Sequence, residues 1–400
     1  MDNKTLTAPA GFLVSAVKAG IKQSGNLDLG LIVAEKPCTA AAVFTTNKVV
    51  GPAVTVSREH IRKGLAQAVF VNAGNANTCT GKRGLDDAHG ICRQIGDLLG
   101  IKPEHVLVCS TGIIGHFLPM EKVEAGIVNA GAKLSSTTTA AKNFSRAIMT
   151  TDLRPKTSYA QVRLGGKTVR IAGTCKGSGM IAPNMATMLA FMTTDVNIAP
   201  ALLQKALAEV ADQTFNKVSV DTHTSTSDTA IVLASGAAGN RRITAPGADY
   251  QKFKQALGQV ADDLARQIAA DGEGATCAIT IRVNGAANPK EARAAVRAIV
   301  DSPLVRCAFN GGDPNWGRIV SAVGYSGAKF NEAKLTCKIA GTTVFRNGRP
   351  AAFDAKALSR QMKQPRWEVA VDLAVGKAVD FCYTCDLSRE YVSINADYHT

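Results

Sequence analysis

The chain has 400 residues, of which 46% are apolar and 5% aromatic, and its Lys and Arg residues exceed its Asp and Glu residues by 46 − 32 = 14. The few aromatic residues argue against a protein that stacks nucleic-acid bases, and the dispersed basic residues favour solubility or the attraction of small anions over nucleic-acid binding. No run of about 18 apolar residues indicates a membrane span. The N-terminal segment, with Asp2 and a polar break at Ser15, is a poor signal peptide, so we expect a cytoplasmic protein of two or three domains.

Short strands and amphipathic helices alternate along the chain. The predicted strands are, in chain order, residues 30–34, 66–71, 105–109, 168–172, 276–283 and 367–375. The clearest helices are residues 201–213, which follow Pro200, and residues 250–270, where apolar residues recur at helical spacing. The last two strands alternate between apolar and polar residues, as strands with one face on a core do. This pattern predicts a layered α/β fold of antiparallel or mixed sheets covered by helices, rather than a doubly wound parallel sheet.

The ten cysteines are scattered along the chain, and several lie in apolar, strand-like segments. This distribution is typical of reduced, buried thiols rather than a disulfide framework. The only CxxC pair, Cys382 and Cys385, lies in an alternating, strand-like segment, and residues three apart on a strand face opposite ways. Because no second cysteine pair or histidine pair accompanies it, we expect no metal site.

The segment most informative about chemistry is TCKGSGMIAPNMATMLAFMTTD, residues 174–195. A glycine-rich turn leads through Pro183 to Thr187 and then into an apolar run. Cleavage before Thr187 would free an α-amine with a pKa of about 7.7–8.0, which suits a general base for the threonine hydroxyl. Ala186 is small enough to let that hydroxyl approach the preceding carbonyl, and Lys176 would favour the neutral amine. Residue types alone do not decide between this chemistry and an ordinary strand threonine.

The same segment closely resembles the self-processing segment of the ornithine acetyltransferase family, the glutamate N-acetyltransferases of arginine biosynthesis. Further segments resemble motifs of that family in the same order along nearly the whole chain. They are FVNAGNANTCTGKRG (70–84), STGIIGHFLPM (110–120), AIMTTD (147–152), DGEGAT (271–276), FNGGDPNWGRI (309–319) and YVSINADYHT (391–400).

The resemblance implies a self-cleaving acyltransferase. The chain would be cut between Ala186 and Thr187 into fragments 1–186 and 187–400, and Thr187 would carry the acetyl group from N2-acetyl-L-ornithine to L-glutamate in two half-reactions. Some members of the family also accept acetyl-CoA, so acetyl-CoA is a candidate co-substrate for N-acetylglutamate synthesis, and no other cofactor is expected. The implied architecture is an αββα-like sandwich with a smaller C-terminal α/β domain, and the implied assembly is two copies of each fragment.

The resemblance also assigns site residues. Thr111 and Gly112 match the residues that stabilise the oxyanion, and Thr187 matches the nucleophile. The positions that match substrate-binding residues are Thr150, Lys176, Thr187, Glu273, Asn395 and Thr400. The register does not choose between Thr150 and Thr151, and Lys176 serves either the substrate carboxylate or the α-amine.

The chain departs from the family pattern in two places. Residues 221–229 are DTHTSTSDT where the family commonly has DGDTSTNDT, so that Thr222, His223 and Ser227 replace a glycine, an acid and an amide. His399 stands where an arginine usually precedes the last residue. Neither place includes the nucleophile or the oxyanion positions. At both places this chain differs from the family, so the family's substrate-pocket details are not carried over to these residues.

Two other functions are compatible with parts of the sequence. A related self-processing aminopeptidase or amidohydrolase would use the same threonine but transfer the acyl group to water. A basic binding protein without enzymatic activity would remain one intact chain and bind nucleic acid in a salt-sensitive manner.

Overall fold

The structure is a computed structural model that describes residues 3–182 and 188–397. These residues form two compact units, the first built from the described residues up to Asn216 together with His223–Ile268, the second from Lys217–Thr222 and the described residues from Ala269 onward. The first unit contains residues from both sides of position 186. The expected fragments 1–186 and 187–400 are therefore a different division of the chain, and they stay a prediction.

The first unit contains one continuous mixed sheet. Its strands are β1 (Phe12–Val17), β2 (Leu29–Phe44), β3 (Leu65–Asn75), β4 (Val106–Ile113), β5 (Lys156–Leu164), β6 (Lys167–Lys176), β7 (Leu189–Thr194) and β8 (Thr229–Ala234). The strand order is β4-β3-β2-β8-β7-β6-β5, with β1 also paired to β2. The pairs β3–β4 and β7–β8 are parallel and all others are antiparallel. The prediction of mixed sheets is thus confirmed.

Six helices accompany this sheet in the described part of the first unit. They are α1 (Pro52–His60), α2 (Gly81–Leu99), α3 (Met120–Gly131), α4 (Thr138–Ala147), α5 (Pro200–Gln213) and α6 (Ala248–Ala270), the last two residues of α6 belonging to the second unit. Both predicted helices are confirmed as α5 and α6. Pro200 is the first residue of α5, a position where its missing N–H costs no hydrogen bond.

The long strand β2 divides the sheet into two layers. Its register shifts between Val33 and Cys38, so that its first half pairs with β3 and its second half with β8. One core collects apolar residues from β3 and β4 together with those of β7 and β8, and it includes the edge-to-face pair Phe144 and Phe191 at 5.5 Å. Alternate residues of β2 to β4 instead pack against α1, α2 and α3. The two layers therefore face each other.

Helix α6 covers the other face of the second layer. A methyl group placed on Gly173 of β6 would meet Leu264 and Val260 of α6 and Met192 of β7. Phe191, the neighbour of Met192, faces the core between the layers. Helices on the outside and two sheet layers on the inside give the αββα arrangement that was expected.

The second unit has its own six-stranded sheet. Its elements are β9 (Ala278–Ala286), α7 (Pro289–Val300), α8 (Pro303–Gly311), α9 (Trp316–Tyr325), β10 (Thr336–Ile339), β11 (Thr342–Arg346), β12 (Arg349–Pro350), α10 (Ala355–Met362), β13 (Arg366–Asp372), β14 (Ala378–Cys385) and α11 (Arg389–Asp397). The strand order is β12-β11-β10-β13-β9-β14, and only β13–β9 is parallel among these described pairs. Apolar residues of α7 to α10 share one core with this sheet.

The predicted strands are largely confirmed, with differences at their ends. The prediction 367–375 extends too far, because β13 ends at Asp372, whose carboxylate accepts the N–H of Ala374 in a turn with φ +52°. Val375 is consequently 47% exposed rather than part of the core. The prediction 105–109 begins one residue early, because His105 closes a short 3-10 turn that starts at Pro103.

The structure describes all ten cysteines and the helices of the two units. All ten cysteines are free thiols, eight of them buried, as expected, and two, Cys79 and Cys307, exposed. Within residues 3–182 and 188–397, no helix combines the length and the apolar character that a membrane crossing needs.

Candidate functional site

The predicted oxyanion residues lie at the carboxyl end of β4. Thr111 is 3% exposed, and Gly112 has φ +130°. A Cβ on Gly112 would stand 2.3 Å from the carbonyl carbon of Gly74 on the neighbouring strand β3, and Gly74 itself has φ +108°. Only glycine fits both demands, close backbone approach and positive φ. The two parallel strands can therefore meet closely where they end.

Asparagine side chains from the end of β3 hold this end of β4 in place. Ser110 donates to the side-chain oxygen of Asn72 at 2.7 Å, and the Asn72 amide donates to the carbonyl of Asn75 at 2.8 Å. The Asn75 amide donates to the carbonyl of Phe117 at 3.0 Å. This network orders the end of β4 that contains Thr111 and Gly112.

Lys176, the last residue of β6, reaches the same place from the opposite layer. It is 2% exposed, and its Nζ donates to Oγ1 of Thr111 at 3.4 Å. Because the lysine ammonium can only donate, Thr111 is the acceptor, and its own hydroxyl hydrogen is directed elsewhere. Two residues 65 positions apart in the chain, both predicted as site residues, are thus brought together.

Asp152 links the segment around Thr150 to the glycine-rich turn. Its Oδ2 accepts the N–H of Thr150 at 3.0 Å, and its Oδ1 accepts both the ammonium of Lys156 at 2.6 Å and the N–H of Gly177 at 2.7 Å. Burial would raise the pKa of Asp152, but the ammonium groups of Lys156 and Lys176 and the Gly177 N–H hold the pKa below its ordinary value. The carboxylate is therefore charged and fixes the start of the turn.

Sequence reasoning did not single out Asp152, although AIMTTD contains it. A buried aspartate cannot be told from a surface one by residue type. The only available signal was its position four residues before Lys156, and that spacing is common on exposed surfaces too. The structure brings Thr150 into this network through its main chain, and it does not assign a role to the hydroxyl of Thr150 or of Thr151.

A third lysine adds to the positive charge near Gly74. Lys22 donates from Nζ to the carbonyls of Leu27 at 2.7 Å and Ala147 at 3.0 Å. Burial, and to a smaller extent the Lys176 ammonium, lower the pKa of Lys22 to about 8 against the opposing effect of Asp28 and Asp152. A partly buried cluster of lysines attracts carboxylates strongly, because little water screens it.

In the second unit, two predicted substrate-binding residues, Glu273 and Asn395, contact each other. Glu273, 7% exposed, accepts a hydrogen bond on Oε2 from the side-chain amide of Asn395 at 2.9 Å. The following Gly274 has φ +66°, and a Cβ there would lie 2.4 Å from the main-chain N of Tyr391. Ser388 donates to the carbonyl of Gly274 at 2.6 Å. The glycine thus lets helix α11 approach the loop closely enough for Asn395 to reach Glu273.

Asp386 and two residues of α8 support that loop. The carboxylate of Asp386 accepts hydrogen bonds from the N–H and hydroxyl of Thr276, at 2.8 and 2.7 Å, and from the side-chain amide of Asn310 at 2.7 Å. Arg306, which is 4% exposed, donates to the carbonyls of Cys385 and Asp386. The FNGG segment, which contains Asn310, therefore supports the loop that carries Glu273, a role that sequence reasoning did not anticipate.

Three predicted residues cannot be placed. Ala186, Thr187 and Thr400 lie outside the described residues. The residue that follows Thr187 is described, however, and the apolar run after it forms β7, buried along its whole length. The apolar run that follows Thr187 in the sequence is therefore a buried strand. Among the described residues, no group of His, Cys, Asp and Glu side chains is arranged to hold a metal ion.

Comparisons with known proteins show where this chain belongs. It matches the model of the ArgJ family over residues 13–400. It is 46% identical over 394 residues to the arginine biosynthesis bifunctional protein ArgJ of Lactococcus lactis subsp. lactis, with 98% of each protein covered. It is 45% identical over 397 residues to the protein of the same name from Symbiobacterium thermophilum, with 99% of this chain and 98% of the relative covered.

A comparison with solved structures points to the same family as the sequence comparison. The crystal structure of the arginine biosynthesis bifunctional protein argJ from Bacillus halodurans matches with a TM-score of 0.50 and 40% sequence identity, covering 52% of this chain and 97% of that one. The resemblance noted from the motifs is confirmed over the full length. The chain belongs to the ArgJ family.

Proposed function

We propose that this protein is an acetyltransferase of arginine biosynthesis that moves an acetyl group from N2-acetyl-L-ornithine to L-glutamate. The observation that carries the proposal is the match to the ArgJ family over residues 13–400, together with relatives that are named arginine biosynthesis bifunctional proteins. The site geometry is suited to acyl transfer, because a buried hydroxyl, a strand-end glycine and a lysine converge at the ends of β4 and β6.

The proposed nucleophile is Thr187, made available by cleavage of the bond after Ala186. The Thr187 hydroxyl attacks the Ala186 carbonyl, the chain shifts from nitrogen to oxygen, and water hydrolyses the resulting ester. The freed α-amine then takes the hydroxyl proton when Thr187 attacks the acetyl carbonyl of acetylornithine. Ornithine leaves with that proton, and the glutamate amine takes the acetyl group from Thr187 in the second half-reaction.

Thr111 and Gly112 are proposed to stabilise the negative oxygen that develops in each half-reaction. Lys176 donates to the Thr111 oxygen, so the Thr111 hydroxyl hydrogen points away from Lys176 and can serve an oxyanion. The positive charge of Lys176 also disfavours protonation of a nearby amine. Both effects support the same chemistry, and neither requires a metal or an organic cofactor.

The remaining assignments concern the substrates. Thr150, Lys176, Glu273, Asn395 and Thr400 are proposed to bind acetylornithine and glutamate. A glutamate carboxylate is the natural partner of a substrate ammonium group, and Asn395 holds Glu273 by a hydrogen bond at 2.9 Å. The positive charge around Lys22 and Lys176 suits the carboxylates that both substrates carry.

Three further features belong to the same proposal. The relatives are named bifunctional, which supports acetyl-CoA as a second acetyl donor for N-acetylglutamate synthesis. The two fragments are proposed to stay together as a heterotetramer with two copies of each. The protein is proposed to work in the cytoplasm, where its free thiols would remain reduced.

The test is an acetyl-transfer assay with N-acetyl-labelled acetylornithine, with and without glutamate. We expect label in N-acetylglutamate, ornithine release that glutamate accelerates, and a loss of about 10²–10³-fold in kcat for Thr111→Val, which removes one oxyanion donor. Thr157→Val is the matched control, because Thr157 is exposed on β5. Hydrolysis of acetylornithine at a rate that glutamate does not change would contradict the transferase and favour the amidohydrolase.

A further inference from the structure

A buried carboxyl group stands at the start of β7, where the mechanism above gives it no role. Asp228, 0% exposed, immediately precedes β8. Its Oδ1 accepts the N–H of Met188 at 3.0 Å, whereas its Oδ2 is buried and has no hydrogen-bond partner in the described part of the chain. Its carbonyl accepts the N–H of Thr45 at 2.9 Å, which fixes the main chain.

The register of the sheet places this group beside the predicted site. Leu189 pairs with Lys176 of β6 on one side and with Thr229 of β8 on the other. The last residue of β6 and the residues just before β7 and β8 therefore share one edge of the sheet. Lys176 and Asp228 flank the start of β7, and Met188 is one peptide bond away from Thr187.

Burying the Asp228 carboxyl group lowers the stability of the folded protein, which argues against a purely structural role. Burial raises the pKa of Asp228 well above its ordinary value, although the Met188 N–H, Lys176 and Ser225 act in the opposite direction. A buried polar oxygen without a hydrogen-bond partner destabilises the folded protein. A shorter or apolar side chain would avoid that cost, so a function in the reaction is the better explanation of an acid at this position.

We propose that Asp228 is a positioning residue for the acetyl-transfer site, in which Oδ1 holds the Met188 amide. This inference rests on the proposed function. The hydrogen bond to Met188 anchors the residue that follows the proposed nucleophile at the start of β7, so its loss should slow acetyl transfer.

The test compares three substitutions of Asp228 with a control at the other end of β7. Asp228→Asn keeps the shape, the acceptor and a neutral donor, whereas Asp228→Ala and Asp228→Ser lose the contact with Met188. The control is Asp195→Ala, because Asp195 follows β7, is 1% exposed and likewise accepts a main-chain N–H, from Arg170 at 2.7 Å. For each variant we would measure the fraction of cleaved chain, the thermal midpoint, and the number of competent sites from the burst of acetyl-enzyme.

The decisive quantity is kcat per competent site. We expect about a 100-fold loss in Asp228→Ala and Asp228→Ser with KM changed less than about threefold, since misplacing a reacting group by about 1 Å has an effect of that size. Asp228→Asn should restore kcat to within about threefold. Asp195→Ala should lower the thermal midpoint and leave kcat per site unchanged.

Two results would overturn the inference. If Asp228→Ala or Asp228→Ser lowers only the number of competent sites, the residue is purely structural. If Asp228→Asn is as slow as Asp228→Ala, an acceptor oxygen held at this position is not what the site needs. Failure of the proposed function would look different, because the wild-type protein itself would then transfer no acetyl group from acetylornithine to glutamate.

Discussion

Replacing Asp152 with asparagine is expected to destabilise the first unit strongly. Asp152 and Lys156 form an ion pair of 2.6 Å whose side chains are 0% and 1% exposed. Asparagine has nearly the same shape but only one acceptor oxygen, so the substitution removes the charge and leaves the N–H of either Thr150 or Gly177 without its acceptor. The Lys156 ammonium is then buried without its carboxylate, and breaking a buried pair in this way costs about 3–5 kcal/mol.

The matched control is Asp262→Asn on α6. Asp262 pairs with Arg266 at 2.8 Å with the same spacing of four residues, but its side chain is 34% exposed and that of Arg266 46%. Water screens this pair, so we expect a loss below about 1 kcal/mol. Both variants would be compared with the wild-type protein by urea unfolding at neutral pH, after their state of cleavage has been matched.

The pH dependence gives the same prediction a second check. The pKa of Asp152 is lowered in the folded protein, so its contribution to stability is present above the unfolded pKa of about 3.9 and is lost as the pH falls through the folded pKa. Asp152→Asn should lack this acid-dependent loss. Equal losses of stability in Asp152→Asn and Asp262→Asn would refute the reasoning.

Three further substitutions test the geometry of the two units. Gly112→Ala would force a methyl group to within 2.3 Å of the Gly74 carbonyl carbon, so we expect kcat in the acetyl-transfer assay to fall by at least about tenfold. Thr222 has φ +65°, which costs a β-branched residue about 1–2 kcal/mol; Thr222→Gly should therefore raise the thermal midpoint, and an unchanged or lower midpoint would contradict this. Gly274→Ala would bring a methyl group to within 2.4 Å of the α11 main chain, so KM for acetylornithine should rise, whereas Gly324→Ala, which meets nothing within 4 Å, should leave KM unchanged.

Periodicity predicted those parts of the fold that depend on local sequence. Helices α5 and α6 and strand β9 lie where their apolar spacing placed them, because each buries one face against a single core. The end of β13 was wrong by three residues, because the turn after Asp372 is stabilised by a side-chain hydrogen bond that alternation does not reveal. The stacking of two sheet layers depends on the register shift within β2, and no local pattern encodes that shift.

The candidate site, too, could be predicted from local sequence only in part. The motifs predicted Thr111, Gly112 and Lys176 one by one, but their meeting requires β4 and β6 to face each other across the two layers. Asp152 and Asp228 were not predicted as site residues, since their importance lies in burial and in the main-chain N–H groups that they accept. Burial of a charged residue is decided by the tertiary fold, and residue type alone favours exposure.

The most direct test of the account is to trap the acetyl group on the protein. The chain would be incubated with N-acetyl-labelled acetylornithine in the absence of glutamate, denatured, separated into its fragments and sequenced from the new N-terminus. The account predicts a second fragment beginning Thr187-Met188-Leu189 that carries one acetyl group on Thr187, and a Thr187→Ala variant that remains one uncleaved, unlabelled chain. A wild-type chain that stays intact, or label on any residue other than Thr187, would contradict it.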